Sequence, residues 1–178
     1  MKRSKITILL AIVLGMTFHS CLDLEPQDQL GGKNMWTSVN DYKQFANTFY
    51  SWTRDFSSVV YDGTHSDKRS DLITYQSYNE FSRGINSIPS SDANYTDNYK
   101  HIRRTNLLLQ NAEAYAKPED IKQYIGEAYF FRAYSYFDLL QLYGDVIITK
   151  KPLDITDPEM KVKRNDRSEV VDLIIDDL

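Results

Sequence analysis

Cysteine is almost absent. Cys21 is the only one in 178 residues, which excludes an intramolecular disulfide and every metal cage built on cysteine pairs. Histidine is scarce as well, with three in the chain, and beyond residue 20 only His65 and His101 remain. Seven glycines and five prolines are too few for a collagen-like or low-complexity chain. Positive charge is not in excess: 21 Lys and Arg face 25 Asp and Glu, so a nucleic-acid partner has no overall electrostatic support. No nucleophile elbow, phosphate-cradling glycine loop or dinucleotide-binding glycine pattern occurs. The sequence therefore gives no positive support to an enzyme and implies no cofactor. What it does hold is aromatic. Thirteen Tyr, eight Phe and two Trp make up 13% of the chain, and tyrosine combines an apolar face with a polar tip.

The first twenty residues read as a signal peptide. Lys2, Arg3 and Lys5 precede an apolar run, Ile6 to Phe18, that is too short for a usual membrane span. The run ends in Ser20-Cys21 and resembles a bacterial lipoprotein signal, in which that cysteine becomes the lipidated N-terminus. Removing residues 1–20 takes away three positive charges and no negative ones, moving the net charge from −4 to −7. Residues 21–37, with Asp23, Glu25, Pro26, Asp28 and Gly31-Gly32, read as a lipidated tether. Acidic residues just after the cysteine resemble a surface-export signal.

Residues 38–178 read as helical. Ser38 and Asp41 approximate a capping box, and Tyr42, Phe45, Phe49 and Trp52 give one aromatic face through Thr53. Residues 54–93 lack sustained periodicity and predict a long insertion of loop and short turns. Helical spacing returns over 94–116 and is closed by Lys117-Pro118. A further helix is predicted over 119–143, ending at Gly144 and apolar on nearly every side, with Phe131 and Phe137 as its largest anchors. Val146-Ile147-Ile148 suggests a short extended segment, and Ser168 an N-cap for a last helix that is still running at Leu178. That last feature reads as the N-terminal part of a longer protein.

The stretch Asp92 to Asn98 imitates a calcium loop, but Asp97 stands where the turn needs glycine and Arg103 where a bidentate Glu belongs, so no metal site is assigned. His65 and His101 stand singly, without a partner that would mark them as catalytic.

Gly126-Glu-Ala-Tyr-Phe-Phe-Arg132-Ala133, followed by Tyr143-Gly144-Asp145-Val146, resembles the core signature of the SusD/RagB family. The Tyr99–Asn111 and Arg167–Leu178 segments resemble the helices around it. The resemblance implies an all-α, tetratricopeptide-like scaffold with long irregular insertions, of which only the N-terminal part is present. It also implies a nutrient-uptake lipoprotein, lipid-anchored at Cys21 (palmitate among its acyl groups) in the outer membrane and facing the cell exterior. Such proteins bind oligosaccharides, or peptides in some branches, and deliver them to a SusC-like TonB-dependent transporter without catalysis. A helical-repeat surface lipoprotein that binds peptides or protein partners is the alternative. Gly126, Glu127, Arg132 and Gly144 are the structural signature; Glu127 and Arg132 read as groups that fix helix packing rather than as ligand contacts. Because the family carries its ligands on insertions, Tyr61, Tyr75 and Tyr78 are candidate stacking residues, and Arg69, Asp71 and Asp62 candidate hydroxyl partners. Each tyrosine could instead pin its loop to the scaffold.

Overall fold

The computed structural model describes residues 35–54, 83–154 and 156–178. Ser38 starts the first helix, α1 (Val39–Asn47). Its hydroxyl accepts from the Asp41 N–H, while the Asp41 carboxylate accepts from the Ser38 N–H at 2.8 Å. This reciprocal pairing satisfies two of the donors that a helix start leaves open. The sequence predicts helix through Thr53, but the chain tightens into a 3-10 turn over Thr48–Trp52. Hydroxyls cause the change: Thr48 donates to the Phe45 carbonyl at 2.6 Å and Ser51 to the Thr48 carbonyl at 2.8 Å.

Asp92 caps α2 (Ala93–Glu113) by accepting the Asn94 N–H at 2.9 Å. α3 (Pro118–Tyr143) begins with Pro118, whose missing N–H would have been unpaired there, and Glu119 and Asp120 lie at its positive end. It stops at Gly144, which has φ 71°. A Cβ there would meet only the movable tip of the Arg167 side chain, at 2.9 Å, so it is the backbone conformation that requires glycine. Only residues 114–117 separate α2 from α3, which therefore pack antiparallel, and α4 (Arg167–Asp177) lies along α3. The predicted Ser168 cap is corrected. Asp166 is the N-cap, with Glu169 closing its capping box, because the Asp145 carboxylate already takes the Arg167 N–H at 3.1 Å and commits the chain to helix two residues earlier.

Two apolar cores follow from the antiparallel pair. The first joins Tyr42, Phe45 and Phe49 to Leu108 and Ala112 late in α2 and to Ile121, Ala128 and Phe131 early in α3. Its rings meet at edges: Phe49 and Phe131 centroids are 5.7 Å apart, Trp52 and Phe131 5.8 Å. Met35 and Trp36, read as tether, pack against this core, with Trp36 4.8 Å from Phe45. The second core joins Ile102 early in α2 to Tyr136 and Leu139 late in α3, and to Val146, Val170 and Leu173. Phe137 is not an anchor of either. It is 46% exposed, because α1, α2 and α4 cover the other sides of α3 and none of them covers this one. Among the described residues the scaffold is helical, with one isolated antiparallel bridge, Val146 to Asn165.

Candidate functional site

Between α3 and α4 the chain runs extended past Val146 to Lys151 with no sheet beside it. Side chains supply the missing partners. The Tyr99 hydroxyl on α2 accepts from the Ile147 N–H at 2.9 Å and donates to the Ile147 carbonyl at 2.8 Å. Tyr136 on α3 treats Thr149 the same way, accepting at 2.8 Å and donating at 3.2 Å. Asn106 donates to the Thr149 carbonyl at 2.9 Å, and the Asn165 side chain accepts the Ile148 N–H at 2.9 Å. The backbone of this strap is thus satisfied without a neighbouring strand. Burial pushes the phenols of Tyr99 and Tyr136 well above their ordinary range, so both keep the proton they donate.

The strap forms the floor of a groove of about 590 Å³, within the range of small-molecule sites. α2 contributes Tyr95, Thr96, Tyr99, Lys100 and Arg103; the strap contributes Ile147, Thr149 and Lys151; Met160 stands on a 3-10 turn, Pro158–Lys161. Tyr95 and Tyr99 rings lie 4.8 Å apart and tilted, and Tyr143 meets Tyr95 edge-on at 5.2 Å. Ion pairs line the rim. Arg103 binds Asp154 at 3.0 Å and also donates to the Leu153 carbonyl at 3.0 Å. Lys151 meets Glu159 at 2.6 Å, which holds its ammonium above the usual range. Lys100 pairs with Asp97 at 2.8 Å. Chemically the groove offers an aromatic and aliphatic face with balanced charges at its edge.

The signature residues lie elsewhere. Arg132 is 5% exposed and binds Asp177 through two hydrogen bonds, at 2.7 and 2.6 Å, while a third N–H reaches the Asn106 side-chain oxygen at 2.9 Å. It stands at the inner wall of a polar hollow of about 450 Å³ with Lys150 and Asp176, but its charge is spent on Asp177. Glu127 accepts from Gln123 at 2.9 Å and faces Tyr50, whose phenol is raised by burial and then by that carboxylate. Gly126 is exposed, with open space where a Cβ would stand. Gly144 ends α3 as described. Cys21, Tyr61, Asp62, Arg69, Asp71, Tyr75 and Tyr78 lie outside the described residues.

The sequence reading missed the groove. Tyr95 and Tyr99 were legible only as a helix face, and nothing in the polar loop after Lys150 marks Arg103, Lys151, Asp154 and Glu159 as partners. Asn106 carried no signal of its own, since it follows Arg103, Arg104 and Thr105 in a helix rich in polar residues. Among the described residues no cluster of three or more His, Cys, Asp or Glu is placed to hold a metal ion, and no helix is long and apolar enough to cross a membrane.

The comparisons with known proteins agree on one family. The sequence model of a SusD-like family, described as starch-binding and associating with the outer membrane, matches residues 22–178. A SusD-like protein of Formosa agariphila is 27% identical over 197 residues, covering 99% of this chain and 36% of its own length. A crystal structure of a SusD-like protein from Bacteroides fragilis superposes with a TM-score of 0.65 at 24% identity, covering 86% of this chain and 30% of that one. The chain belongs to the SusD-like family, and its scaffold has the tetratricopeptide-like helical fold. It spans about a third of the length of the curated relative it matches.

Proposed function

We propose that this chain belongs to a non-catalytic surface lipoprotein that binds oligosaccharides and passes them to a SusC-like TonB-dependent transporter. The observation that carries this reading is the family match over residues 22–178, in a family described as starch-binding and associating with the outer membrane. The leader adds to it. Residues 1–20 would direct export, Cys21 would carry the lipid, and the acidic residues after it would send the protein to the outer face of the outer membrane. The ligand chemistry suits the composition, since sugar rings stack their C–H faces on tyrosine and tryptophan while Asn, Asp and Arg bind hydroxyls. Tyr61, Tyr75, Tyr78, Arg69 and Asp71 are the proposed contacts in the insertion. Binding needs no activated nucleophile, and reducing-sugar release on incubation with oligosaccharides should stay at background.

Isothermal titration against a panel of neutral oligosaccharides and short peptides tests the ligand class. Saturable heat with a glycan supports the reading. Binding confined to peptides transfers it to the helical-repeat, peptide-binding alternative. Within the insertion, Tyr75→Ala or Tyr78→Ala should weaken glycan binding while the melting temperature holds. If the Tyr61, Tyr75 and Tyr78 variants all bind as the wild type does, that placement fails.

A further inference from the structure

We propose that the groove between α2 and the 146–151 strap is itself a sugar-contact site, separate from the insertion tyrosines, and that it takes an uncharged sugar. The inference rests on the oligosaccharide-binding reading and adds a place and a selectivity to it. Three observations meet here. The lining includes Tyr95, Ile147, Leu153 and Met160, apolar groups of the kind that accept the C–H face of a pyranose ring. The volume, about 590 Å³, accommodates a ligand of small-oligosaccharide size. The rim carries oriented polar groups. Arg103 is held in place by Leu153 and Asp154, and this uses its Nε and one Nη, so a guanidinium with five N–H groups has donors left for hydroxyls. The Asp154 and Glu159 carboxylates likewise have lone pairs beyond those their cations occupy.

Selectivity follows from the charges. Each cation at the groove is matched: Lys100 by Asp97, Arg103 by Asp154 and Lys151 by Glu159. An anionic sugar, a uronate or a sulfate ester, would find no uncompensated positive charge and would stand beside two carboxylates. A neutral ring meets no such opposition. The Tyr99 and Thr149 hydroxyls have no proton left to donate, because theirs go to the Ile147 and Lys151 carbonyls. Hydroxyl recognition therefore falls to the charged rim, and stacking to the tyrosine face.

The test is titration calorimetry of the wild-type chain and groove variants with neutral glucan oligosaccharides and with uronate oligosaccharides of equal length. Arg103→Ala and Met160→Glu sit on exposed positions, so circular dichroism should be unchanged while affinity for the neutral sugar falls tenfold or more. Asp154→Asn combined with Glu159→Gln removes both rim carboxylates and should admit the uronate. If the wild type binds neutral sugar and every groove variant binds it equally well, the groove proposal is overturned while the oligosaccharide reading stands. Tighter binding of uronate than of neutral sugar by the wild type overturns the charge argument. A wild type that binds no member of either series overturns the reading and this site with it.

Discussion

Arg132 and Asp177 join the third helix to the fourth through two parallel hydrogen bonds, with side chains 6% and 4% exposed. The two residues are 45 positions apart in the chain, and a charge so deep needs its partner. Arg132 also holds Asn106, which in turn holds the strap at Thr149, so one guanidinium ties α2, α3, α4 and the groove floor together.

Removing either member should therefore be costly. Arg132→Met or Asp177→Ala is expected to destabilise by about 3–5 kcal/mol, because each leaves an uncompensated buried charge. The double variant should lose no more than the worse single one, since no orphaned charge remains. Urea unfolding of the four proteins in a double-mutant cycle measures this. Additive losses would show that the pair is not coupled as its geometry states.

Phe131 and Phe137 give a sharper contrast than the sequence suggested. Phe131 is 2% exposed among four other rings, whereas Phe137 is 46% exposed. Phe131→Ala should cost roughly 3–5 kcal/mol and Phe137→Ala less than about 1 kcal/mol. Thermal melts of the two variants decide it. Equal losses would place Phe137 in a core.

The difference between those two residues marks how far the sequence could be read. Helix existence was legible: capping at Ser38, Pro118 in the first turn and Gly144 at the end each rest on local backbone chemistry. Which side of an all-apolar helix is covered depends on its neighbours, so Phe137 was misjudged. The family signature gave Arg132 as a packing residue but not Asp177 as its partner, because nothing local pairs positions so far apart. The groove was invisible for the same reason. Tyr99 and Tyr136 look like core tyrosines in a helical pattern, and only the fold places their hydroxyls against a strap.

Those hydroxyls can be tested one at a time. Tyr99→Phe removes the partner of the Ile147 N–H and carbonyl, and Tyr136→Phe the hydroxyl partner of Thr149. Each should cost about 1–3 kcal/mol, the penalty of leaving buried backbone groups unpaired. Amide exchange identifies the site: Ile147 should exchange faster in the first variant and Thr149 in the second. Unchanged protection at both amides would mean the strap is held by other contacts.

His101 should impose an acid limit on stability. Its ring stacks on Trp52 at 4.1 Å and 13°, and burial lowers its pKa to about 4; the nearby Asp97 opposes the shift, while Arg104 and Lys100 reinforce it. In the unfolded chain the imidazole titrates near 6.5, so between about 4 and 6.5 the unfolded state binds the extra proton. The contribution is whole above pH 6.5 and is lost as pH falls towards 4, at most about 3 kcal/mol by the factor of roughly 1.4 kcal/mol per pH unit. The C2–H resonance of His101 should titrate far below those of exposed histidines, and His101→Gln should flatten the stability curve across this window. A His101 midpoint near 6.5 would show that the stack does not exclude water.

Membrane attachment is predicted to depend on Cys21 alone. The chain has one cysteine, and it follows an apolar run of signal-peptide length and a small residue, Ser20. A single acyl chain holds a protein only marginally at a membrane, whereas the several chains of a bacterial lipoprotein add buried methylenes at about 0.8 kcal/mol each and anchor it stably. Expressed in a bacterium that processes lipoproteins, the wild type should incorporate a clickable fatty-acid analogue and sediment with membranes. Cys21→Ser should lose the label and appear in the soluble fraction with its helical signal intact. Retention of both label and membrane association in Cys21→Ser would place the anchor at another residue.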